Sequence, residues 1–139
     1  MLLKKLTKEE WISFSEKAHL LSFGERFDPQ DCKISFAYLF VDEEKDLPAG
    51  YMTVLELDSQ TAYLQHGGAF PAHEKTVHVY KTYAKALKAL SEAYETLTTR
   101  IENTNYSMLK MAMRAGFLVV GTYFCHPRLF LELNLEVTP

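Results

Sequence analysis

The segment that decides the fold is residues 103–117, NTNYSMLKMAMRAGF. It predicts a helix from Asn105 to Ala115. Asn105 is suited to begin this helix, because an asparagine side chain can accept a hydrogen bond from an amide of the first turn. Gly116 is suited to end it, because glycine readily adopts the positive φ that follows many helices. Phe117 can then turn into the core.

Two strands are predicted after this helix. The first runs from Leu118 to Phe124, and the sequence His126-Pro127-Arg128 predicts the turn that follows it. From Leu129 to Val137 leucine or valine occupies every second position, and this period of two is typical of a half-buried strand.

A short strand, Thr98 to Glu102, and a long helix are predicted before the segment. From Tyr80 to Leu97 tyrosines and leucines recur in steps of three and four, which gives one apolar stripe. The lysines of this helix lie toward its N-terminus and its glutamates toward its C-terminus, opposite to the preference of the helix dipole. An anion bound at the N-terminus explains this inversion; the alternative is a solvated face with i,i+4 pairing. The charged residues concerned are Lys81, Lys85, Lys88, Glu92 and Glu95.

The N-terminal half predicts one helix and three strands. Thr7 and Glu10 form a capping box that begins the helix, with Leu6 and Trp11 at the hydrophobic-staple positions. Gly24 is a candidate for its end. The predicted strands are residues 34–41, 51–57 and 61–70; residues 42–50 predict a turn and residues 71–79 an irregular segment.

The short connections between the first three strands predict an antiparallel meander. A strand–helix–strand crossover then pairs the third and fourth strands in parallel. The predicted fold class is mixed α/β, with the order helix, three strands, helix, strand, helix and two strands.

The 139 residues fit one domain, and we expect it to span residues 1–139. A net charge of −3 argues against a general nucleic-acid binder. Cys32 and Cys125 are too far apart in sequence to suggest a disulfide framework or a zinc motif, and the histidine spacing predicts no metal site. The sequence shows no transmembrane run and no signal peptide, so we expect a cytoplasmic protein.

The order of elements resembles the GNAT (general N-acetyltransferase) superfamily, and the resemblance covers residues 34–137. GNAT proteins have a similar last helix, with Asn at its start and Gly-Phe at its end, as in Asn105 and Gly116-Phe117. The resemblance implies a mixed, mostly antiparallel sheet of six or seven strands with flanking helices. It also implies that acetyl-coenzyme A (acetyl-CoA) is bound as a substrate.

Two departures from the family pattern affect the expected function. GNAT enzymes usually have a glycine-rich loop whose amides hold the coenzyme pyrophosphate, but residues 73–80, HEKTVHVY, contain no glycine. Many GNAT enzymes also have a tyrosine in the last helix that protonates the leaving thiolate. Counted from Asn105, that position is Ala112.

The resemblance places the coenzyme between the third strand and the last helix. Gly67 and Gly68 predict a bulge or the close approach of another backbone, the alternative being a simple kink. A backbone amide near Phe70 is expected to hold the oxyanion. The expected coenzyme-binding residues are Gly68, Ala69, Phe70, Pro71, His73, Lys75, Thr76, Val77, His78, Asn105 and Lys110.

The candidate bases are Glu56 and His66, and each has a structural alternative. Glu56 shares a strand face with Met52 and Val54, where burial would raise its pKa; the alternative is a strand-end residue in water. His66 is a base or a satisfied core or edge histidine. Tyr106, Tyr123 and Cys125 are candidate replacements for the missing acid.

Two functions follow from the resemblance. The first is transfer of an acetyl group from acetyl-CoA to an amine of a small molecule or a protein. The second is a GNAT-fold assembly module with weak or no catalysis, because three stretches are similar to a divergent GNAT group of tailed phages associated with head assembly. The expected partners are then virion proteins or a second copy of the chain, in the host cytoplasm. The three stretches are residues 67–71, 103–105 and 108–110.

Replacing Lys75 and Thr76 together with alanine should weaken coenzyme binding by roughly 1–3 kcal/mol, the range for losing charge-assisted hydrogen bonds. The loop lacks glycine, so side chains are expected to replace backbone amides as phosphate donors. Calorimetric titration with coenzyme A tests this, and binding should also weaken as salt increases. Unchanged affinity would mean that the coenzyme is held elsewhere.

Overall fold

The computed structural model describes residues 2–18, 33–70 and 77–137. The strands are β1 (Leu2–Thr7), β2 (Phe36–Asp42), β3 (Leu47–Glu56), β4 (Thr61–Ala69), β5 (Thr96–Glu102), β6 (Leu118–Cys125) and β7 (Arg128–Glu136). The helices are α1 (Lys8–Ala18), α2 (Val77–Ala93) and α3 (Tyr106–Arg114).

The seven strands form one sheet in the order β1-β2-β3-β4-β5-β7-β6. All neighbours are antiparallel except β4 and β5, which are parallel and joined through α2. The predicted meander, the crossover and the mixed, mostly antiparallel sheet are therefore confirmed. No helix among the described residues is both long and apolar enough to cross a membrane.

Alternating residues of the strands pack into two cores on opposite faces of the sheet. Phe36, Tyr38 and Phe40 belong to the core that includes α2 and α3 residues. Ala37 and Leu39 belong to the other core, with Trp11 of α1. The period of two in β2 thus fixes both helical layers, because successive side chains of a strand point to opposite faces.

The predicted capping box and staple at the start of α1 are confirmed. Thr7 N donates to Glu10 Oε1 and Glu10 N donates to Thr7 Oγ1, both at 3.2 Å. Leu6 and Trp11 are buried in the same core. The predicted stop at Gly24 lies outside the described residues.

Strand β1 was not predicted, because Lys4 and Lys5 interrupt the alternation of apolar residues. Both lysines are exposed, and β1 pairs with β2 at the edge of the sheet. Backbone pairing therefore forms this strand without a clear apolar pattern.

The predicted turn at residues 42–50 is too long, since the observed turn spans only residues 43–46. Asp46 has a φ of 51°, which allows the chain to reverse early. Pro48 then lies opposite Val41, where the register between β2 and β3 shifts. A register shift is one of the places where a sheet accepts proline, which has no amide to donate.

The predicted irregular segment at residues 71–79 is corrected at its C-terminal end, because α2 already begins at Val77. Val77 lies three residues before Tyr80, so it extends the spacing of the predicted helix. Helix α3 matches its prediction closely: Asn105 is the N-cap and accepts from Met108 N at 3.4 Å, and Gly116 has a φ of 103°.

Strands β4 and β5 pair only over residues 61–64 and 96–99. Beyond Leu64 and Thr99 they separate, and β5 continues beside β7. An irregularity in β4 accompanies the separation: Thr53 lies opposite His66 but the next residue of β3 lies opposite Leu64, so Gln65 is the extra residue. The predicted bulge thus lies two residues before Gly67.

The close backbone approach occurs at Gly50. We therefore expect an alanine at Gly50 to destabilise the protein more than an alanine at Gly68. A Cβ at Gly50 would lie 2.8 Å from the Gly68 carbonyl oxygen, whereas a Cβ at Gly68 meets only Tyr51 side-chain atoms at 3.7 Å or more. Gly50→Ala should destabilise the protein by about 1–3 kcal/mol. Gly68→Ala, the matched control, should change stability by about 1 kcal/mol or less. Equal losses in urea denaturation would contradict this account.

Candidate functional site

The separation of β4 from β5 opens a cavity of about 170 Å³. Its walls are the C-terminal half of β4, the first turns of α2 and the first turns of α3. Asn105 begins α3 at this wall. The lining residues are Phe40, Gly67, Gly68, Ala69, Tyr80, Tyr83, Asn105, Ser107, Met108 and Met111.

The edge of β4 that faces this gap has backbone amides without a partner among the described residues. Phe70 N donates to Ala49 O at 2.9 Å, so the Phe70 amide points toward β3. Successive amides of a strand point to opposite edges, so the Ala69 amide points into the gap, the Gly68 amide toward β3, and the Gly67 amide into the gap. No described strand pairs with β4 there. The expected oxyanion donor is therefore Ala69 or Gly67, not Phe70 itself.

A second cavity of about 190 Å³ adjoins the first. Four residues line both cavities: Gly67, Tyr83, Asn105 and Met108. The second cavity is more polar, since its other lining residues include Gln65, His66, Thr99, Arg100, Glu102 and Arg128. The two cavities form adjacent compartments on either side of these four residues.

The charged residues of the second cavity are already paired. Arg128 Nη2 lies 2.7 Å from Glu102 Oε2, and Arg100 Nε lies 3.3 Å from Glu132 Oε1. The hydrogen bond from Arg128 holds the pKa of the Glu102 carboxyl below its ordinary value. Glu102 therefore remains a charged carboxylate at neutral pH and is not suited to accept a proton.

His66 is the candidate base that lines a cavity. Its amide donates to Thr53 Oγ1 at 3.1 Å, which fixes the backbone of β4 at this point. Although part of the side chain is exposed, burial of the imidazole lowers its pKa below the ordinary value of 6.5. A lower pKa keeps the imidazole neutral and able to accept a proton at neutral pH.

Glu56, the other candidate base, does not line either cavity. It is exposed at the end of β3 opposite Ala62, whereas the cavities lie at the other end of β4. Its Oε2 accepts a hydrogen bond of 2.6 Å from Tyr94. Burial, together with this bond, raises the pKa of Tyr94 to about 12. The position of Glu56 agrees with the alternative of a strand-end residue in water.

The candidate acids also lie outside both cavities. Tyr106 is 72% exposed, and Cys125 is exposed at the end of β6. Tyr123 lies on the same edge strand, where the Arg100 guanidinium is 4.2 Å from its ring centre. The structure brings none of the three to the junction of the cavities.

Three of the expected coenzyme-binding residues line the cavities: Gly68, Ala69 and Asn105. The Phe70 side chain packs instead in the α1-side core, and Lys110 is exposed on α3 outside both linings. Val77 and His78 form the first turn of α2, but their side chains are not among those described. Pro71, His73, Lys75 and Thr76 lie outside the described residues.

Sequence reasoning missed Tyr80, Tyr83 and Ser107 as cavity residues. The two tyrosines belong to the apolar stripe of α2, and their spacing indicates burial without showing where a hydroxyl lies. Burial raises the pKa of Tyr83 to about 12. Their positions in the first turns of the crossover helix, after the strand that separates, are the one signal that could have indicated them.

The His66 imidazole should titrate below pH 6.5 in the native protein and return to about 6.5 in urea. Because its folded pKa is lowered, its contribution to stability is present above about pH 6.5 and is lost as the pH falls through the folded value. Nuclear magnetic resonance of the imidazole protons measures both states. A native pKa at or above 6.5 would contradict the burial described.

No family model and no curated protein matches this sequence. Solved structures do match. The ribosomal-protein-S18-alanine N-acetyltransferase from Escherichia coli aligns with a TM-score of 0.76 and 10% identity, over 99% of this chain and 94% of that chain. Mutant forms of spermidine/spermine N-acetyltransferase from Vibrio cholerae align with a TM-score of 0.73 and 11% identity, over 97% and 93%.

A Bacillus anthracis protein assigned as a streptothricin acetyltransferase, solved with acetyl coenzyme A, also matches. Its TM-score is 0.61 at 13% identity, over 76% of this chain and 64% of that chain. Identities this low show the fold and not the activity. With the seven-stranded sheet, the parallel β4–β5 pair and the crossover helix, they show that this chain has the GNAT fold of N-acetyltransferases.

Proposed function

We propose that this protein transfers an acetyl group from acetyl-CoA to an amine. The observation that supports this most strongly is the junction of two cavities beside the amides of Gly67 and Ala69. One cavity is mainly apolar and lies between α2 and α3; the other is polar and contains His66. A thioester and an amine can each occupy one compartment and meet at the junction.

The residues around the first cavity suit an acyl-CoA. The amides of Gly67 and Ala69 can bond to the pantetheine arm or to the acetyl oxygen. Asn105 uses its side-chain oxygen as the cap of α3. Its side-chain nitrogen, Nδ2, remains a donor for a ligand in either cavity. That one structure with this fold was solved with acetyl coenzyme A supports the choice of ligand.

The phosphates of the coenzyme would lie at the start of α2. A helix N-terminus attracts anions through its free amides and its dipole. Helix α2 has 17 residues and no acidic residue in its first turn. Lys81 is exposed one turn into the helix, where it can add a positive charge. The inverted charges of α2 then favour binding of the coenzyme.

The reaction requires a base, and His66 is the residue we propose for it. The neutral imidazole removes a proton from the acceptor amine, directly or through water. The nitrogen lone pair forms the C–N bond to the acetyl carbon while the amides at β4 stabilise the oxyanion. The C–S bond then breaks with its electron pair on sulfur, which leaves as coenzyme A.

An assembly module is a second candidate function, and edge strand β6 favours it. Residues 118–125, LVVGTYFC, contain no charged residue. Leu118 is 70%, Val120 57% and Phe124 63% exposed. Exposed edges without charges invite pairing with another chain, and the opposite edge, β1, has Lys4 and Lys5. Strand β6 is the surface on which contacts with virion proteins or a second copy would form.

Purified protein incubated with acetyl-CoA and a panel of primary amines should release coenzyme A and form an acetylated product, both measured by chromatography with mass spectrometry. His66→Gln should lower kcat/KM by about 100- to 10,000-fold, the usual contribution of a general base. It should also remove the acid limb of the pH profile, because that limb reports the titration of His66.

His126→Gln is the matched control, since His126 is exposed and lines neither cavity. It should leave kcat/KM unchanged. Thermal melting tests coenzyme binding independently of turnover. Coenzyme A at a hundred times its Kd should add about 2.7 kcal/mol to the free energy of unfolding. If the protein shows no turnover and coenzyme A causes no shift in melting temperature, the proposal is overturned and the assembly module is favoured.

A further inference from the structure

Tyr83 provides the one side-chain hydroxyl at the junction of the two cavities, among the residues the structure describes. The junction consists of Gly67, Tyr83, Asn105 and Met108. Gly67 has no side chain, Met108 is apolar, and Asn105 caps α3. Ser107 also has a hydroxyl, but it lines the first cavity alone.

The ring of Tyr83 packs against the part of β4 that faces the gap. A Cβ built on Gly67 would lie 3.7 Å from Tyr83 Cε2, so the ring is in contact distance of this strand. The residue is 9% exposed, and no described residue hydrogen-bonds to its hydroxyl. Since Tyr83 lines both cavities, a ligand at the junction can accept a hydrogen bond from its hydroxyl.

We propose that the Tyr83 hydroxyl donates a hydrogen bond to the coenzyme sulfur as the thioester breaks. This role rests on the proposed acetyl transfer. The acetyl oxygen already has the Gly67 and Ala69 amides as donors, whereas no other described side chain at the junction is free to donate to sulfur except the Asn105 amide. Ala112 stands at the position where many GNAT enzymes have their acid. Alanine cannot donate a hydrogen bond from its side chain, so another residue can take the role of donor to the sulfur.

Tyr83 acts as a donor that keeps its proton. A cysteine thiol has a pKa of about 8.5, and burial raises the pKa of Tyr83 to about 12, well above the range of such thiols. Full transfer of the phenolic proton to the thiolate is therefore uphill, while a hydrogen bond to the negative sulfur is favourable. The amine proton passes through His66 to solvent, and the released thiolate takes one proton from solvent, so the reaction is balanced.

Tyr83→Phe tests this role, because it keeps the ring and removes the hydroxyl. It should lower kcat by about 100- to 1,000-fold, the scale seen for one lost donor to developing charge. The Kd for acetyl-CoA should remain the same. Tyr94→Phe is the matched control: Tyr94 directly follows α2, bonds to Glu56 and lines neither cavity. It should leave kcat unchanged.

A second measurement needs binding but no turnover. Bound coenzyme A is titrated by the ultraviolet absorbance of its thiolate. In the wild type its thiol pKa should lie about one to two units below that of the same thiol bound to Tyr83→Phe, because the hydroxyl stabilises the charged sulfur. A purely structural role of Tyr83 would not produce this difference.

Equal thiol pKa values in the two proteins, or an unchanged kcat in Tyr83→Phe, would overturn the role of Tyr83 and leave acetyl transfer standing. If Tyr83→Phe does not fold, the wild-type titration still decides, since a bound thiol pKa at or above that of free coenzyme A contradicts the proposal. Failure to bind coenzyme A at all would overturn both the role and the proposed function.

Discussion

The loss of pairing between β4 and β5 after Leu64 and Thr99 is the constraint on which the candidate site depends. A sheet interior normally satisfies every backbone amide, and an unpaired buried amide is costly. Here β4 leaves its parallel neighbour while it stays paired with β3, so the amides of Gly67 and Ala69 face a gap. The gap, its two cavities and the residues at their junction all follow from this separation.

The rest of the fold holds the gap open. Thr99 Oγ1 donates to Leu64 O at 2.9 Å, at the last paired position of the two strands. On its other edge β5 stays paired with β7 along its whole length, so the part of β5 that leaves β4 is still held in the sheet. On the covered face Leu87 and Leu90 of α2 pack in the same core as Ala112 of α3, so both helices flank the gap at fixed positions. Closing the gap would require this core to rearrange.

Local chemistry made much of this fold predictable from sequence. The Thr7–Glu10 capping box and the Asn105 cap depend on neighbours in the chain, and both were predicted correctly. Strand β1 was missed because Lys4 and Lys5 interrupt its apolar pattern, and the start of β3 was misplaced because Pro48 and Gly50 usually mark turns.

The candidate site was less predictable from the sequence than the fold. The apolar stripe of α2 indicated that Tyr83 is buried, but its place beside Gly67 depends on how α2 crosses β4. Likewise, the exposure of Glu56 at the far end of β3 follows from the hairpin register and not from its apolar neighbours.

The amide signals of Gly67 and Ala69 provide the most direct test that this gap binds the coenzyme. Acetyl-CoA is titrated into isotope-labelled protein, and the backbone amides are followed by nuclear magnetic resonance. If the coenzyme binds in this gap, we expect saturable shifts at Gly67, Ala69 and Asn105 with one common Kd, and smaller shifts at the Phe70 amide, which stays bonded to Ala49. Saturable shifts elsewhere in the protein, with the Gly67 and Ala69 amides unmoved, would contradict it.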